Sequence, residues 1–278
     1  MSTMSRMAEG NGVQPVRHVL ALSGGKDSTA LAIYLKDRVP NLEYVFCDTG
    51  EELPETYSYL LRIEAVLGQR PTYLNAERTF GHYLDIYRGV LPDPRTRWCT
   101  RMLKIRPFER YVGDCPTQMY VGIRADEKHR KGYVSTKPNV IPRFPFIEDG
   151  ITRDDVFRLL QDSGLGLPDY YRWRSRSGCY FCFFQQRREW VGLLENHPDL
   201  FRKAMDYEKQ DPQTGEQYTW CQRESLAELS QPERVAQIKA DYENRPNSAS
   251  GVRPGASLGE ILDAGDTDQD RSCLICHL

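Results

Sequence analysis

Short apolar runs alternate with segments of helical periodicity through the first half of the chain. The runs VRHVLAL, from Val16 to Leu22, and EYVFCDTG have the β-branched, apolar character of buried strands. Helical spacing follows each of them, first in STALAIYLKD and then in LPETYSYLLRIEAVLG, where Pro54 stands near the start and Gly68 at the end. PTYLNA and TQMYVGI indicate further strands, with a basic helix from about Met102 to Tyr111 between them. This alternation predicts an α/β fold with a doubly wound parallel sheet.

The pattern changes after about Gly150. TRDDVFRLLQDSG begins with a threonine N-cap and acidic residues and ends in a glycine, so it predicts a helix, and REWVGLLENHPDLFRKAMDYEKQ predicts two helices separated at Pro198. The segment from Glu243 to Ser272 is rich in Asn, Ser, Gly, Pro and Asp and predicts little regular structure. We therefore expect a flexible start at 1–15, an α/β domain at 16–150, a smaller, mainly helical subdomain at 151–242, and a tail at 243–278 that ends in a cysteine pair.

Composition excludes some classes of protein. The first residues carry no apolar run of the signal-peptide type, and no later run approaches the roughly 18 apolar residues that span a bilayer. We therefore expect a cytoplasmic protein with no membrane partner. The formal net charge of −2 argues against a protein that coats nucleic acid generally. In this setting the 8 cysteines favour thiols, metal ligands or catalytic groups over a disulfide framework.

Two stretches concentrate positive charge. RTRWCTRMLKIRPFER, at 95–110, holds six basic residues and one acid, and residues 172–188 hold five arginines and no acid. Both contain cysteine. If the stretches are adjacent in the fold, they form a positive site around a sulfur centre that suits a polyanion, whereas solvated surface charge is the simpler alternative.

A glycine pair lies between the first strand and the first helix, in SGGKDS. Such a turn directs backbone N–H groups and a helix N-terminus at an anion, while a lysine and two hydroxyls add further donors. The string is neither the P-loop of ordinary nucleotide hydrolases nor a dinucleotide-binding fingerprint. It predicts a phosphate site.

This loop resembles the pyrophosphate-binding loop of the adenine nucleotide alpha hydrolases. With DTGEELPET, WCTRMLK and VGIRADE, which follow in that order, it resembles the phosphoadenosine phosphosulfate reductase branch of that superfamily over about Arg17 to Phe146. The resemblance implies that pyrophosphate binds at Ser23, Gly24, Gly25, Lys26, Asp27 and Ser28, that Asp48 and Gly50 line the nucleotide crevice, and that Arg124, with Arg101 and Lys104, faces phosphate or substrate. Lys26, Asp27 and Arg124 are the candidate catalytic residues.

One departure from the reductase pattern distinguishes between two possible reactions. The true reductases of this branch have usually lost the Gly-Gly-Lys-Asp form of the loop, which this chain keeps. The resemblance therefore favours an ATP pyrophosphatase that adenylates a substrate over a sulfonucleotide reductase. Mg²⁺ is the expected ion for neutralising the leaving pyrophosphate.

The spacing of Cys179 and Cys182 permits a zinc knuckle, a redox pair or part of an iron–sulfur site. Resemblance to the iron–sulfur reductases adds Cys99, in WCTRMLK, and implies a [4Fe–4S] cluster shielded by neighbouring aromatic residues. For a fourth ligand we favour Cys276, then Cys273, then Cys221, and an open iron that carries the transferred sulfur is the alternative. Cys47 and Cys115 have the setting of buried structural thiols.

The loop, the WCTRMLKIRPFE stretch and SGCYFCFFQ together resemble the DNA phosphorothioation sulfurtransferases of the DndC and SspD type from Leu22 to about Tyr207. That resemblance implies adenylation of a DNA phosphate oxygen and its replacement by sulfur. The implied partners are DNA, a guiding protein of the same modification complex and a cysteine desulfurase as sulfur donor. Among the basic residues, the ones expected to contact DNA are Arg101, Lys104, Arg174 and Arg176. A tRNA thiolase, a sulfonucleotide reductase and a zinc-stabilised nucleotide-binding regulatory module remain alternatives.

Overall fold

The computed structural model describes residues 15–127, 137–210, 215, 217–221 and 224–244. Strands and helices alternate through the first half of the chain: β1 Arg17–Leu22, α1 Lys26–Leu35, β2 Leu42–Asp48, α2 Pro54–Leu67, β3 Thr72–Asn75, α3 Phe80–Ile86, α4 Trp98–Thr100, a π-helix Arg101–Ile105, α5 Arg106–Val112 and β4 Thr117–Tyr120. The second half begins with a short 3₁₀ turn and is mainly helical: 3₁₀ Ala125–Glu127, β5 Val140–Arg143, α6 Pro145–Glu148, α7 Arg153–Asp162, 3₁₀ Asp169–Arg172, α8 Arg187–Asn196, α9 Pro198–Tyr207, β6 Lys209–Gln210, β7 Gln217–Tyr218, α10 Leu226–Leu229 and α11 Pro232–Glu243.

Five parallel strands form the main sheet in the order β3-β2-β1-β4-β5. The central strand β1 pairs on both sides, since Val19 lies opposite Glu43 of β2 and Met119 of β4. The chain thus proceeds outward from β1 in one direction and then adds β4 and β5 on the other side. This order opens a crevice at the carboxyl ends of β1 and β4, the usual place for a ligand in such sheets. The predicted α/β class with a doubly wound parallel sheet is confirmed.

Helices cover both faces of the sheet because its central strand is apolar on both sides. Leu20 and Leu22 belong to one hydrophobic cluster, which also takes in buried residues of α1, α2 and α7. Val19 and Ala21 point the opposite way, into a second cluster with Phe108 of α5. Alternating side chains of one strand therefore reach two separate cores, as expected for a central parallel strand.

A third core is rich in aromatic side chains and joins segments from both halves of the chain. Phe80 lies with its ring centroid 4.2 Å from that of Phe181, which in turn stacks on Trp220 at 5.0 Å. Cys99 and Cys179 are half-buried at the border of this core. The cysteine segments are thus positioned by aromatic packing beside the sheet.

Two features differ from the sequence prediction. The edge strand β5 was not predicted; it is four residues long and contains Pro142, which lacks the N–H that a central strand needs. The basic helix begins earlier than predicted, at Trp98, and its middle is a π-helix that holds Arg101 and Lys104. No helix among the described residues has the length and apolar character to cross a membrane.

Candidate active site

The loop between β1 and α1 is shaped by its two glycines. Gly24 has a φ of +71°, and a Cβ placed there would lie 2.7 Å from the Thr56 Cγ2. Gly25 is the N-cap of α1 and has no side-chain cap, and a Cβ on it would lie 2.7 Å from the Ser177 Oγ. Because a helix N-terminus leaves backbone N–H groups without intrahelical acceptors, these glycines bring a positive backbone surface close to the crevice.

Three serine hydroxyls line this loop. The Ser23 amide donates to the Ser28 Oγ at 3.1 Å, and the two serine Oγ atoms lie 3.0 Å apart. The Ser28 hydroxyl donates to the Gly25 carbonyl at 3.3 Å, and the Ser177 hydroxyl donates to the Ser23 Oγ at 3.1 Å. Ser177 belongs to the stretch from Arg174 to Cys182 that carries Cys179 and Cys182, here called the cysteine segment. This segment therefore forms a wall of the loop.

The three candidate catalytic residues form one ion-pair chain. The Lys26 Nζ lies 3.4 Å from an Asp27 carboxylate oxygen, and the other oxygen of Asp27 lies 3.0 Å from the Arg124 guanidinium. Arg124 is fully buried and also pairs with Asp126 at 3.1 Å and with Glu127 at 3.4 Å. Its guanidinium is therefore directed at carboxylates. The expectation from the sequence that Arg124 faces phosphate or substrate stays a prediction.

At the end of β2, Asp48 organises the next turn of the crevice. Its Oδ1 accepts from the Gly50 amide at 2.9 Å and from the Tyr57 hydroxyl at 2.7 Å. Gly50 has a φ of +73°, a conformation that glycine adopts without strain. Both residues lie at the crevice, where Asp48 holds the chain in this turn.

The Cys179 thiol lies beside the same end of β2. Its Sγ is 3.3 Å from the Thr49 Oγ1 and 3.8 Å from the Glu52 Oε1, which also accepts from the Thr49 hydroxyl at 3.1 Å. Burial raises the pKa of Cys179 well above its usual value, the Glu52 carboxylate raises it further, and the Lys104 ammonium opposes both. Cys179 is therefore a protonated thiol in this arrangement.

Glu52 is the unusual member of that group. It is only 6% exposed, and its second carboxylate oxygen, Oε2, is buried without a hydrogen-bond partner among the described residues. Lys104 is buried as well. A buried carboxylate and a thiol thus meet beside Thr49, and the Lys104 ammonium acts on that thiol electrostatically. The role of Lys104 at a phosphate or substrate stays a prediction.

Arg174 supports the cysteine segment from inside. It is 2% exposed, and its guanidinium donates to the carbonyls of Gly178 at 3.0 Å and Cys179 at 2.8 Å. A residue enclosed in this way cannot meet a DNA phosphate, so the expectation that Arg174 contacts DNA is wrong for this arrangement. The physical reason is that its buried guanidinium is engaged by the Gly178 and Cys179 carbonyls.

Glu189 of α8 fixes the start of the segment. Its carboxylate accepts from the Ser175 amide at 2.7 Å, from the Ser175 hydroxyl at 2.6 Å and from the Gln186 amide at 3.0 Å. Burial acts to raise the pKa of Glu189, but the charges of Arg176 and Arg174 outweigh it, so the pKa lies below its usual value. The ionised carboxylate is therefore stable in a buried place.

The two arginine-rich stretches meet at Phe184. The Arg97 guanidinium lies 5.3 Å from the centroid of that ring, and the Arg176 guanidinium lies 5.1 Å from it while donating to the Phe184 carbonyl. Arg101 is exposed on the π-helix one turn beyond Arg97. The two basic stretches are thus adjacent in the fold, as a shared positive site requires. They meet through Arg97, which the sequence analysis had not singled out, and Phe184, which it had expected only as an aromatic shield.

The cysteines do not form a ready ligand set. Within the described ranges, no group of three His, Cys, Asp and Glu side chains is arranged to hold a metal ion. Cys182 lies in a turn in which its amide donates to the Cys179 carbonyl at 3.0 Å, and Cys99 lies at the border of the aromatic core. The described residues therefore present no preformed metal-ion site at Cys99, Cys179 and Cys182.

The other cysteines occupy varied places. Cys221 is buried in the aromatic core and Cys47 in the sheet, and burial raises the pKa of each thiol to about 12. Cys115 is half-buried. The favoured fourth ligand, Cys276, lies outside the described residues together with Cys273.

Two tyrosines that sequence reasoning missed bind the loop backbone. The Tyr170 hydroxyl donates to the Gly24 carbonyl at 2.8 Å, and the Lys26 amide donates to the Tyr171 hydroxyl at 3.2 Å. Their rings stack with centroids 5.0 Å apart. The sequence offers only an adjacent aromatic pair just before the second basic stretch, which gives no indication of contact with a loop so far away along the chain.

Curated relatives share part of this chain. A protein of Methanocaldococcus jannaschii is 22% identical over 201 residues, which are 67% of this chain and 46% of that protein. A protein of Escherichia phage 186 is 22% identical over 253 residues, with 69% of this chain and 74% of that protein covered. The chain thus spans about half the length of the first relative and most of the second. Neither relative has a described activity.

Two solved structures show distant likeness. The phosphoadenylyl-sulfate reductase of Candida auris is 12% identical with a TM-score of 0.44, covering 56% of this chain and 76% of its own. The U34-tRNA thiolase of Methanococcus maripaludis, solved with its [4Fe–4S] cluster, is 14% identical with a TM-score of 0.40, covering 78% of this chain and 80% of its own. Likenesses at these scores carry no functional inference.

The family model supplies the assignment. The phosphoadenosine phosphosulfate reductase domain matches residues 17–183, a range that begins with β1, includes the glycine loop and Arg124, and ends just after Cys179 and Cys182. More than half of the chain is matched. The chain therefore belongs to the phosphoadenosine phosphosulfate reductase domain family.

Proposed function

We propose that this protein is an enzyme that binds ATP at the loop from Ser23 to Ser28 and cleaves it to AMP and pyrophosphate in order to activate a nucleic-acid oxygen for replacement by sulfur. The observation that carries the proposal is the contact between the loop and the cysteine segment. Ser177 bonds to Ser23, and Cys179, two residues farther on, lies beside the end of β2. A nucleotide site and a thiol therefore share one crevice.

The loop favours ATP over a sulfonucleotide. Lys26 and the backbone amides of Gly24 and Gly25 at the start of α1 suit the charge of the β- and γ-phosphates, which leave together as pyrophosphate. The intact Gly-Gly-Lys-Asp string supports this assignment. Mg²⁺ is proposed as the accompanying ion, bound mainly through the phosphates, as is usual for Mg²⁺ in nucleotide sites.

The proposed reaction balances as two displacements and one reduction. The acceptor oxygen attacks the α-phosphorus of ATP, which forms an adenylated acceptor and releases pyrophosphate. The terminal sulfur of a persulfide then attacks the activated centre and expels AMP. A thiol reductant supplies two electrons to cleave the resulting S–S bond, which leaves the sulfur on the acceptor. A cysteine desulfurase is the proposed source of the persulfide.

The preferred acceptor is a DNA backbone phosphate. Arg97 and Arg176 on Phe184, with the exposed Arg101 nearby in the chain, suit contacts that hold a phosphate backbone without reading sequence. Site choice is then assigned to a partner protein of a modification complex.

A tRNA thiolase is the second candidate. The half-buried Phe183 and Phe184 have ring centroids 4.4 Å apart beside the two arginines, and such aromatic groups also suit an unstacked RNA base. In that case the adenylated atom is a base carbonyl oxygen.

The reaction products test the proposal. With ATP, Mg²⁺ and a nucleic-acid acceptor, purified protein is expected to yield AMP and pyrophosphate in equal amounts, measured by anion-exchange chromatography. Supplying a labelled persulfide donor with DNA or tRNA identifies the acceptor from the molecule that gains sulfur. ADP with phosphate as products contradicts the proposal, and sulfite from a sulfonucleotide supports the reductase alternative.

A [4Fe–4S] cluster held by Cys99, Cys179 and Cys182 is the proposed cofactor, and it is carried by the cysteine pattern of the sequence. If the cluster is present, anaerobically purified protein contains iron with acid-labile sulfide. The Cys99→Ser and Cys179→Ser variants are expected to lose that iron. Cys115→Ser is the matched control and should keep the iron. Iron-free wild-type protein with a normal fold contradicts the cluster, and one equivalent of zinc supports the regulatory-module alternative.

A further inference from the structure

Ser177 lies directly over the N-cap of α1. Its hydroxyl is 3.1 Å from the Ser23 Oγ, and a Cβ built on Gly25 would lie only 2.7 Å from the same hydroxyl oxygen. The glycine at position 25 therefore leaves room for the side chain of Ser177, which lies 154 residues from Ser23 along the sequence. A hydroxyl in this place faces the part of the loop where an anion is expected.

The hydrogen bonds at this point run in one direction. Ser177 donates to Ser23, which is positioned to donate to Ser28, which donates to the Gly25 carbonyl. A serine hydroxyl can rotate to a stronger acceptor, and a phosphate oxygen is stronger than another hydroxyl. Ser177 can therefore turn its proton towards a bound pyrophosphate without moving its backbone.

The backbone around Ser177 is already held on both sides. Tyr170 bonds the Gly24 carbonyl at 2.8 Å on one side, and on the other Arg174 donates to the Cys179 carbonyl at 2.8 Å. The Ser175 amide and hydroxyl are bound by the Glu189 carboxylate. Because the segment is fixed before any ligand binds, a contact from Ser177 costs little additional ordering.

We propose that Ser177 is a pyrophosphate-binding residue, supplied to the glycine loop by the segment that carries Cys179. The proposal rests on the proposed function, because it takes the loop to be the pyrophosphate site. It adds to the loop motif a residue from a distant part of the chain that is held in place before the nucleotide binds.

The test is binding of inorganic pyrophosphate, measured by isothermal titration calorimetry with Mg²⁺ present. Ser177→Ala is expected to bind on the order of tenfold more weakly than the wild type, the usual effect of losing one hydrogen bond to a charged group. Ser177→Thr, which keeps the hydroxyl, should restore most of the affinity. Ser58→Ala is the matched control, since the Ser58 hydroxyl lies on the exposed side of α2 and donates to the Pro54 carbonyl.

A second readout separates binding from folding. Pyrophosphate should raise the melting temperature of the wild type and of Ser58→Ala, and should raise that of Ser177→Ala less, while the melting temperatures without pyrophosphate remain close. Equal pyrophosphate affinity in Ser177→Ala and wild type overturns the inference and leaves the proposed function standing. Weakened binding in Ser177→Ala, with ADP as the wild-type product, supports the inference and contradicts the proposed function. Absence of pyrophosphate binding to the wild type overturns both.

Discussion

Replacing Lys26 by alanine is expected to lower the rate of AMP formation from ATP by about 10²–10³-fold, the usual effect of removing one group that stabilises charge in a transition state. Lys26 is 6% exposed, and its ammonium lies 3.4 Å from the Asp27 carboxylate and 5.6 Å from the centre of the Tyr171 ring. A charge held in this way is in place before the reaction begins. It can therefore stabilise the negative charge that develops on the leaving pyrophosphate.

The measurement is the steady-state rate of AMP release at saturating ATP, with kcat and KM determined separately. Lys36→Ala is the control, because Lys36 lies just beyond α1, is about one-third exposed and pairs only loosely with Asp37 at 4.0 Å. That variant should turn over ATP at the wild-type rate. A Lys26→Ala protein with unchanged kcat shows that the loop lysine does not act on the leaving group.

Replacing Arg124 by methionine is expected to cost about 3–5 kcal/mol of unfolding free energy. The guanidinium is fully buried and lies within 3.4 Å of three carboxylates, on Asp27, Asp126 and Glu127. Methionine has a similar length but no charge, so the buried Glu127 and the half-buried Asp27 lose the Arg124 cation, while Asp27 keeps its ion pair with Lys26. Removing one partner of a buried ion pair costs more than removing one partner of a surface pair.

Urea denaturation followed by circular dichroism measures this change. Arg143→Met is the matched control: Arg143 pairs with Glu148 at 2.9 Å, but both side chains are close to half exposed, and a pair of that kind contributes at most about 1 kcal/mol. Equal losses in the two variants contradict the idea that burial makes the Arg124 network important. If the Arg124 variant does not fold, proteolysis in the presence and absence of urea still ranks it against the control.

Local signals explain how much of the fold could be predicted. The helix α2 begins at Pro54, and its C-cap Gly68 has a φ of +66°, as the proline and glycine indicated. α7 begins with the predicted Thr152 cap, which forms a capping box with Asp155. Such signals act over a few residues and do not depend on the rest of the chain. The edge strand β5 lacked them, because its identity comes from pairing with β4 and its own sequence is short and interrupted by proline.

The candidate site could likewise be predicted only in part. The loop from Ser23 to Ser28 could be predicted because its glycines, lysine and serines are contiguous and follow a recognisable strand. The place of Arg174 could not, because an arginine in a basic stretch looks the same whether its guanidinium meets solvent or backbone carbonyls. Only the burial of the segment between the aromatic core and the loop distinguishes the two.

The sequence by itself determined the α/β class, the order of its main elements and the glycine loop between β1 and α1, since each depends on periodicity or on residues adjacent along the chain. Tertiary structure alone decided that Ser177 lies over Gly25 and that Cys179 lies 3.3 Å from Thr49, contacts that join residues more than a hundred positions apart. It also decided that Arg124 serves Asp27 and that Arg97 and Arg176 share one aromatic ring. The physical reason is that packing, burial and ion pairing depend on which surfaces the folded chain brings together. A sequence pattern does not give the distance in space between residues that are far apart along the chain.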